Sequence, residues 1–355
     1  QSQDLENFEK NALLFDSIIK ADAFSKEHSN KFGQLVIQDT GGRMKPANTF
    51  SSELLRKVSK KDNYNGLNSD QVLLSIMNNP TIWYNVPLIY LKRGNDSIRK
   101  IVGLNTDIKY APLLSFFDKK GNYKLALPLE QAYRASVPNQ FQKDFIELDR
   151  RVNLLYSALE GKVMRIFPIP DDVNNKWVSY PELSDSNFSG KDSLYVRNIL
   201  PLYFQSLRLA QKDNDYVQAD NLLESISGFQ KRFGGSILPS KDKIKSEILY
   251  NKYDIFKKLF SWYIYAGTLF FIVLIIQIFK SNKLIKLLVN VFKFTLLFLF
   301  LLHTIGLIAR WFISGHAPWG DAYESMIYAA WATQFFGLIF GRKSSLTMAS
   351  TAFVS

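Results

Sequence analysis

Leu259 to Phe279 reads LFSWYIYAGTLFFIVLIIQIF and contains no charged residue. A helix of about 20 residues rising ~1.5 Å each spans a ~30 Å hydrocarbon core. A helix apolar all round at that length predicts a membrane span rather than the core of a soluble domain. Outward from it, Phe294 to Ile313, FTLLFLFLLHTIGLIARWFI, predicts a second span. A third is expected over 322–340, and a fourth begins near Leu346. Lys280, Lys283 and Lys286 lie between the first two spans, and Arg342 and Lys343 follow the third. The positive-inside rule puts both clusters in the cytoplasm, so the loop 314–321 and everything before the first span lie outside. Arg310 is the one charge on the outer side, where a long side chain snorkels to the headgroups. Trp311 and Trp319 fall where an outer aromatic belt forms.

The mean hydropathy of −0.08 over 355 residues averages two unlike parts. Up to about Lys258 the chain is mixed and charged; beyond it charges thin to a few Lys and Arg. The chain opens without Met or an apolar leader and closes in an apolar stretch, which predicts a piece of a longer polypeptide. With no cysteine, the segment carries no thiol nucleophile, no Cys-held metal and no CxxCH haem attachment. The net charge of +12 reads as a solvated basic surface with positive-inside loops, or as attraction for anionic lipid or an acidic partner. Nucleic-acid-binding motifs are absent, and nucleic acid is not expected as a partner.

The fold class expected is mostly α: an extracytoplasmic mixed α/β-helical domain followed by a transmembrane helical bundle with three complete spans and the start of a fourth. The boundaries expected are 1–193 for a mixed α+β domain, 194–258 for a helical membrane-proximal segment and 259–355 for the membrane helices. Residues 1–25 read as an amphipathic helix. Gly33 to Gln38 and Thr81 to Lys92 read as strands, rich in Val, Ile, Tyr and Trp. Asn48 to Ser51 cap a helix through Val58, and two helices flank Pro138. Three helices fill 194–259; Leu207 and Ala210 pair with Ala219, Leu222 and Leu223, and the third helix is expected to run unbroken into the first span.

Three histidines stand in the chain. His303 lies inside the second span, where an ionisable group is paired, neutral or functional; haem-iron ligation, a proton relay, or a neutral His bonded to a neighbouring helix all fit. His316 sits in the outer loop SGHAPWGDAYES. Gly315 permits a tight turn, Pro318 fixes it, Trp319 offers an aromatic platform, and Asp321 with Glu324 forms a capping-box entry to the third membrane helix. A well-built helix entry accounts for Pro318, Asp321 and Glu324; the clustering of His316, Trp319 and Tyr323 leaves haem or substrate contact open. His28 reads as a surface histidine. DTGGRMKP, 39–46, has neither Walker nor Rossmann spacing and reads as a turn, with Arg43 and Lys45 as candidate carboxylate holders. There is no nucleophile–base pair, no HExxH and no metal-ligand cluster to name, so the catalytic residues are unknown and no metal is expected.

RWFISGHAPWGDAYESMIYAAW, Arg310 to Trp331, resembles the membrane entry of CcsA-type cytochrome c biogenesis proteins, whose pattern is close to RW-I-SGH-P-SN-YES-xF-x-W. Gly315, His316, Pro318, Tyr323, Glu324, Ser325 and Trp331 match. Gly320-Asp321-Ala322 replaces the usual Ser-Asn-Leu, and Met326-Ile327-Tyr328 replaces Leu-x-Phe. His28 to Lys57, together with RVNLLY and PSKDKIKSEILYNKYDIF, resembles the extracytoplasmic part of fused ResB/CcsA proteins of the Bacteroidetes kind. The resemblance implies part of a system II cytochrome c synthetase in a bacterial cytoplasmic (inner) membrane, multi-pass, with its N-terminal domain periplasmic. It implies b-type haem as the cofactor handled, and haem, apocytochrome c, the lipid bilayer and the remaining parts of the same polypeptide as partners. Synthetase (haem lyase) activity is implied for the full-length protein alone. His316, Trp319, His303, Tyr323 and Glu324 are the candidate haem-contacting residues. The rival readings are a non-catalytic assembly subunit that docks apocytochrome, and a transporter or receptor with an extracytoplasmic helical domain.

Overall fold

Local sequence signals explain most of the helix boundaries. The computed structural model describes residues 2–317, 319–320 and 322–355, with side chains from Lys10 onward except that of Ser236. The chain is mostly helical and divides into two compact units, Gln1–Pro239 and Ser240–Ser355. Of the segment expected over 194–258, the first two helices belong to the first unit and the third to the second.

The first unit opens with α1 (Ser2–Ala21) and α2 (Lys26–Phe32), the latter capped by Ser25, whose side chain accepts from the His28 N–H at 3.1 Å. β1 (Val36–Gln38) and β2 (Met44–Pro46) form an antiparallel hairpin around the DTGGR turn, where Asp39 Oδ1 accepts from the Gly41 and Arg43 N–H groups. α3 (Ala47–Ser59), β3 (Asn63–Tyr64), β4 (Leu67–Asn68) and α4 (Ser69–Asn78) follow, α4 held by an Asn68–Gln71 capping box. The stretch 81–92, expected as a strand, is mostly not one. Pro80 sits in the first turn of the short helix α5 (Pro80–Trp83), and Trp83 turns inward to donate to Ser75 Oγ at 3.0 Å. Only β5 (Ile89–Tyr90) pairs, with β6 (Tyr110–Ala111), beyond α6 (Asp96–Val102). The buried Arg99 closes this part by donating to the carbonyls of Leu91, Lys92 and Ile108.

α7 (Ala126–Arg134) and α8 (Gln140–Leu159) flank Pro138 as expected, and α8 presents Phe145, Leu148, Val152 and Leu155 to the core. β7 (Phe167–Pro168) pairs with β8 (Trp177–Val178). α9 (Gly190–Asp213) and α10 (Val217–Phe233) form the expected helical hairpin, turning at Asn214 in the left-handed region, and Leu207, Ala210, Ala219 and Leu223 are buried. Pro201 within α9 has no N–H for the Arg197 carbonyl. The Tyr180 hydroxyl donates to that carbonyl at 3.2 Å instead. The sheets, all two-stranded among the described residues, leave backbone groups unpaired, and buried side chains answer them. Gln230 of α10 accepts from the Val36 N–H at 3.2 Å and donates to the Val36 and Ile166 carbonyls at 2.8 and 3.0 Å. One hydrophobic core runs through the unit from Ile19 to Phe229.

The second unit holds α11 (Lys241–Tyr253), α12 (Ile255–Phe279), α13 (Lys283–Ser314), α14 (Ala322–Phe340) and α15 (Ser345–Val354). The expected continuous run from α11 into α12 is broken at one residue. Asp254 adopts φ 42°, a left-handed conformation that a short polar side chain tolerates. Ring contacts between Phe270 and Phe292 and between Phe256 and His303 set α12 and α13 antiparallel. Trp331 donates to Thr304 Oγ1 at 2.9 Å, and Arg310 meets Glu324, so α14 turns back along α13. Glycines admit α15: a Cβ on Gly337 would stand 2.0 Å from Thr351 Oγ1, and one on Gly267 would stand 2.9 Å from the Phe353 nitrogen.

Two stretches are long and apolar enough to cross a membrane, Lys241–Phe279 and Lys283–Ser314, with much of their surface turned outward. Three complete spans were expected. α14 has 19 residues but carries Glu324 and Gln334, and among the described residues it does not reach the same apolarity.

Candidate functional site

The sequence candidates fall into two places in the second unit, the loop between α13 and α14 and the contact between α12 and α13. α13 ends because Gly315 takes φ 76°, with its N–H closing on the Trp311 carbonyl at 2.9 Å. The chain then bends tightly. Ser314 Oγ donates to the His316 carbonyl at 2.9 Å, and the Trp319 N–H reaches the Ala317 carbonyl at 2.8 Å. His316 is exposed, with Nδ1 3.0 Å from the Ala317 carbonyl. An N–H on Nδ1 donated there leaves Nε2 as the ring's lone-pair nitrogen, the form in which imidazole binds metal. Pro318 and Asp321, expected to fix the turn and cap α14, lie outside the described residues.

Glu324 holds this loop from below. It is 3% exposed; Oε1 accepts from Arg310 Nε at 2.8 Å, and Oε2 accepts from the Gly320 N–H at 2.7 Å. Glu324 thus braces the loop through the Gly320 N–H, and the expected capping box with Asp321 falls outside the described residues. The Arg310 guanidinium also lies 5.5 Å from the centre of the Tyr323 ring and hydrogen-bonds the Tyr250 hydroxyl. This network is what lets a charged residue stand near the C-terminal end of an apolar helix. Above it, the His316 ring lies against Gly320, its Cε1 3.2 Å from where a Cβ would be. Trp319 is 61% exposed and meets Tyr328 edge-on at 5.6 Å. From Tyr328 a row of rings continues through Trp331 and Phe335 to Phe336 along α14.

The structure therefore brings His316 and Trp319 of the α13–α14 loop together with Tyr323 and Glu324 of the first turn of α14. His303 lies elsewhere, buried on α13 between the rings of Phe256, 5.4 Å away, and Tyr263, 6.0 Å away. The Ile327 carbonyl is within electrostatic reach of the imidazole, but neither ring nitrogen closes a hydrogen bond among the described residues. Ile327 belongs to α14, so the imidazole does face a neighbouring helix, as one of its sequence readings has it, without a closed hydrogen bond. The Tyr263 hydroxyl is buried and unpartnered in the same way. Sequence reading missed Tyr263, Arg310 as the partner of Glu324, and Tyr250; the one available signal was Arg310 as an unmatched charge.

Two motifs of the first unit prove to be structural. His28 is buried, not on the surface: Nδ1 donates to Asp220 Oδ1 at 2.7 Å, Nε2 accepts from the Tyr203 hydroxyl at 2.8 Å, and Tyr216 stacks on the ring at 5.1 Å. Burial pushes its pKa down, outweighing the pull of Asp220. Lys45 is buried between Asp39 at 3.4 Å and Glu53 at 3.0 Å, so it is neutralised within the fold rather than offered to a carboxylate ligand. Among the described residues no group of three or more His, Cys, Asp or Glu is placed to hold a metal ion.

The chain matches no protein-family model. It is 32% identical over 337 residues to Protein NrfI of Wolinella succinogenes, an alignment that takes in 92% of this chain and 36% of that protein. The chain thus spans about a third of the length of the curated relative it matches.

Proposed function

We propose that the chain is part of a membrane protein of the CcsA kind, with a ResB-type extracytoplasmic part, that handles haem for cytochrome c maturation. The NrfI similarity over nearly the whole chain and the CcsA-like pattern from Arg310 to Trp331 support this reading together. The observation that carries it is the outer loop. An exposed imidazole and an exposed indole are set within four residues on a backbone fixed by the buried Glu324 and its half-buried partner Arg310. That arrangement offers a nitrogen ligand and a flat apolar face to a planar metal macrocycle at the membrane surface. In this reading haem is substrate rather than a resident group. His316 and Trp319 contact it, Tyr323 and Glu324 shape the loop, and His303 lies deeper in the membrane part. α14 is a third span, the first unit is periplasmic, and both basic clusters face the cytoplasm of a bacterial inner membrane. Apocytochrome c is the partner on the outer side, and covalent attachment belongs to the full-length protein.

The test is His316→Ala in the full-length protein, scored by holocytochrome yield at constant protein level. Reduced yield with normal protein level is expected, with partial rescue by added imidazole if the ring is a ligand. Unchanged yield would falsify the assignment of this loop to haem.

A further inference from the structure

A groove of about 600 Å³ opens beside His303, walled by Phe256 and Phe260 of α12 and by Met326 and Ile327 of α14. Its walls are apolar, Phe260 is 62% exposed at its mouth, and Lys257 is the charged residue on its lining. Among its polar lining residues Thr333 and Ser355 donate to the Ala329 and Thr351 carbonyls and Tyr323 packs on Arg310, whereas His303 and Tyr263 are left over. His303 is 3% exposed and Tyr263 1%, and among the described residues the hydroxyl and both ring nitrogens close no hydrogen bond, the Ile327 carbonyl being the polar group nearest the imidazole. A buried polar group without a partner costs roughly 1–3 kcal/mol, so three such atoms beside one groove favour an occupant that satisfies them.

We propose that this groove binds the head of a bilayer-dissolved quinone or hydroquinone. Three observations select that chemistry. The walls belong to the membrane-capable helices α12 and α13 and to α14, so a ligand partitioning in lipid enters from the side. The bare groups are a phenol and a neutral imidazole, which between them donate two hydrogen bonds and still accept. A ring bearing oxygens at its edge matches that set, its oxygens accepting from both, and in the reduced form its hydroxyl donating to the imidazole nitrogen. Finally, the imidazole lies deep between the Phe256 and Tyr263 rings. An oxygen on the edge of a slim ring reaches it after a rotamer adjustment, whereas the face of a large macrocycle is held off by those two rings. A metal would also satisfy a single nitrogen and leave the Tyr263 hydroxyl bare.

The inference is independent of the haem reading of the outer loop, whose test is holocytochrome yield from His316 variants. Its own test places the full-length protein in lipid nanodiscs and labels it with an azidobenzoquinone photoprobe, with decylubiquinone as competitor. Saturable labelling of peptides from α12 or α14, protected by decylubiquinone, is expected. His303→Leu and Tyr263→Phe should each raise the half-saturating concentration about tenfold, the loss of one hydrogen bond of about 1.4 kcal/mol. Ala330→Trp, which fills the groove, should abolish labelling. If that variant also lowers the melting temperature, the two polar-group variants decide the matter alone. Labelling that grows without saturation and ignores all the variants overturns the proposal. So does displacement of the probe by haemin with an absorbance band that His303→Leu removes, since the occupant is then a metal macrocycle.

Discussion

Arg310 and Glu324 stand fourteen positions apart on facing helices and meet at 2.8 Å, Nε to Oε1, with Glu324 almost wholly buried. Each therefore carries the desolvation cost of the other. Removing one partner leaves a charge without compensation, which costs more than the pair itself contributes. Glu324→Ala and Arg310→Ala should each destabilise the second unit, by about 2–3 kcal/mol because Arg310 keeps some access to solvent. The double variant Arg310→Met/Glu324→Leu should lose less than the sum of the two. Thermal melts in detergent check this. Additive losses would mean that the two side chains act separately.

Tyr180 and Pro201 supply a second coupled pair. The Tyr180 hydroxyl serves the Arg197 carbonyl because Pro201 has no N–H to offer it. Tyr180→Phe should cost about 0.5–1 kcal/mol in the native background, the bond being partly exposed. In a Pro201→Ala background the backbone N–H takes over, and the same substitution should be nearly neutral. Denaturant titrations of the four proteins give the coupling directly. Equal costs in both backgrounds would remove the compensation argument.

How much of this was legible in sequence depended on how far apart the partners lie. Helices α8, α9 and α10 were readable because an apolar stripe every three to four residues is a local signal, and so was the break at Pro138. Thr81 to Lys92 was misread because β-branched and aromatic residues mark burial as well as strand. There Pro80 started a helical turn and Trp83 turned inward toward Ser75. The break at Asp254 had no local signature, since Asp occurs in helices and in left-handed positions alike. His28 looked like surface because its partners, Tyr203 and Asp220, are 175 and 192 positions away. At the site, His316, Trp319 and Glu324 were visible as a motif, while the bond from Glu324 to Gly320 and its pairing with Arg310 needed coordinates.

The buried His28 predicts a pH dependence for the first unit. Asp220, Lys31, Tyr203 and Tyr216 surround it. Burial lowers its folded-state pKa below 6.5, so below that pH the unfolded chain takes up a proton that the folded one refuses. Stability should then fall with acid, by up to about 1.4 kcal/mol per pH unit, until the folded pKa is reached. His28→Gln keeps a donor and an acceptor but does not titrate. Its stability should be lower at pH 7 and flatter between pH 7 and 5. A parallel slope in both proteins would assign the acid sensitivity to other groups.

The order of the spans can be tested by labelling. Lys280, Lys283 and Lys286 at one end and Arg342 and Lys343 at the same end of the antiparallel helices imply a cytoplasmic face there. A cysteine at Ser281 should resist an impermeant thiol reagent added from outside, and one at Ser314 should react; the chain has no native cysteine to interfere. The opposite pattern would reverse the topology and move the His316 loop to the inner face.

The tightest contact in the second unit gives the sharpest stability prediction. A Cβ on Gly337 would come within 2.0 Å of Thr351 Oγ1 and 2.5 Å of Thr351 Cβ, so no rotamer of Thr351 relieves it. α15 must then move away from α14, and the Cβ position at Gly267, which faces the α15 backbone, leaves little slack on its other side. Gly337→Ala should therefore cost about 1–3 kcal/mol, the usual range for overpacking, even though Ala is the better helix former. Thr351→Gly in the same chain removes both offending atoms and should restore part of the loss, less the cost of a glycine within α15. Thermal melts of the single and double variants in detergent measure both effects. If Gly337→Ala proves neutral or stabilising, α15 does not pack on α14 in the way described.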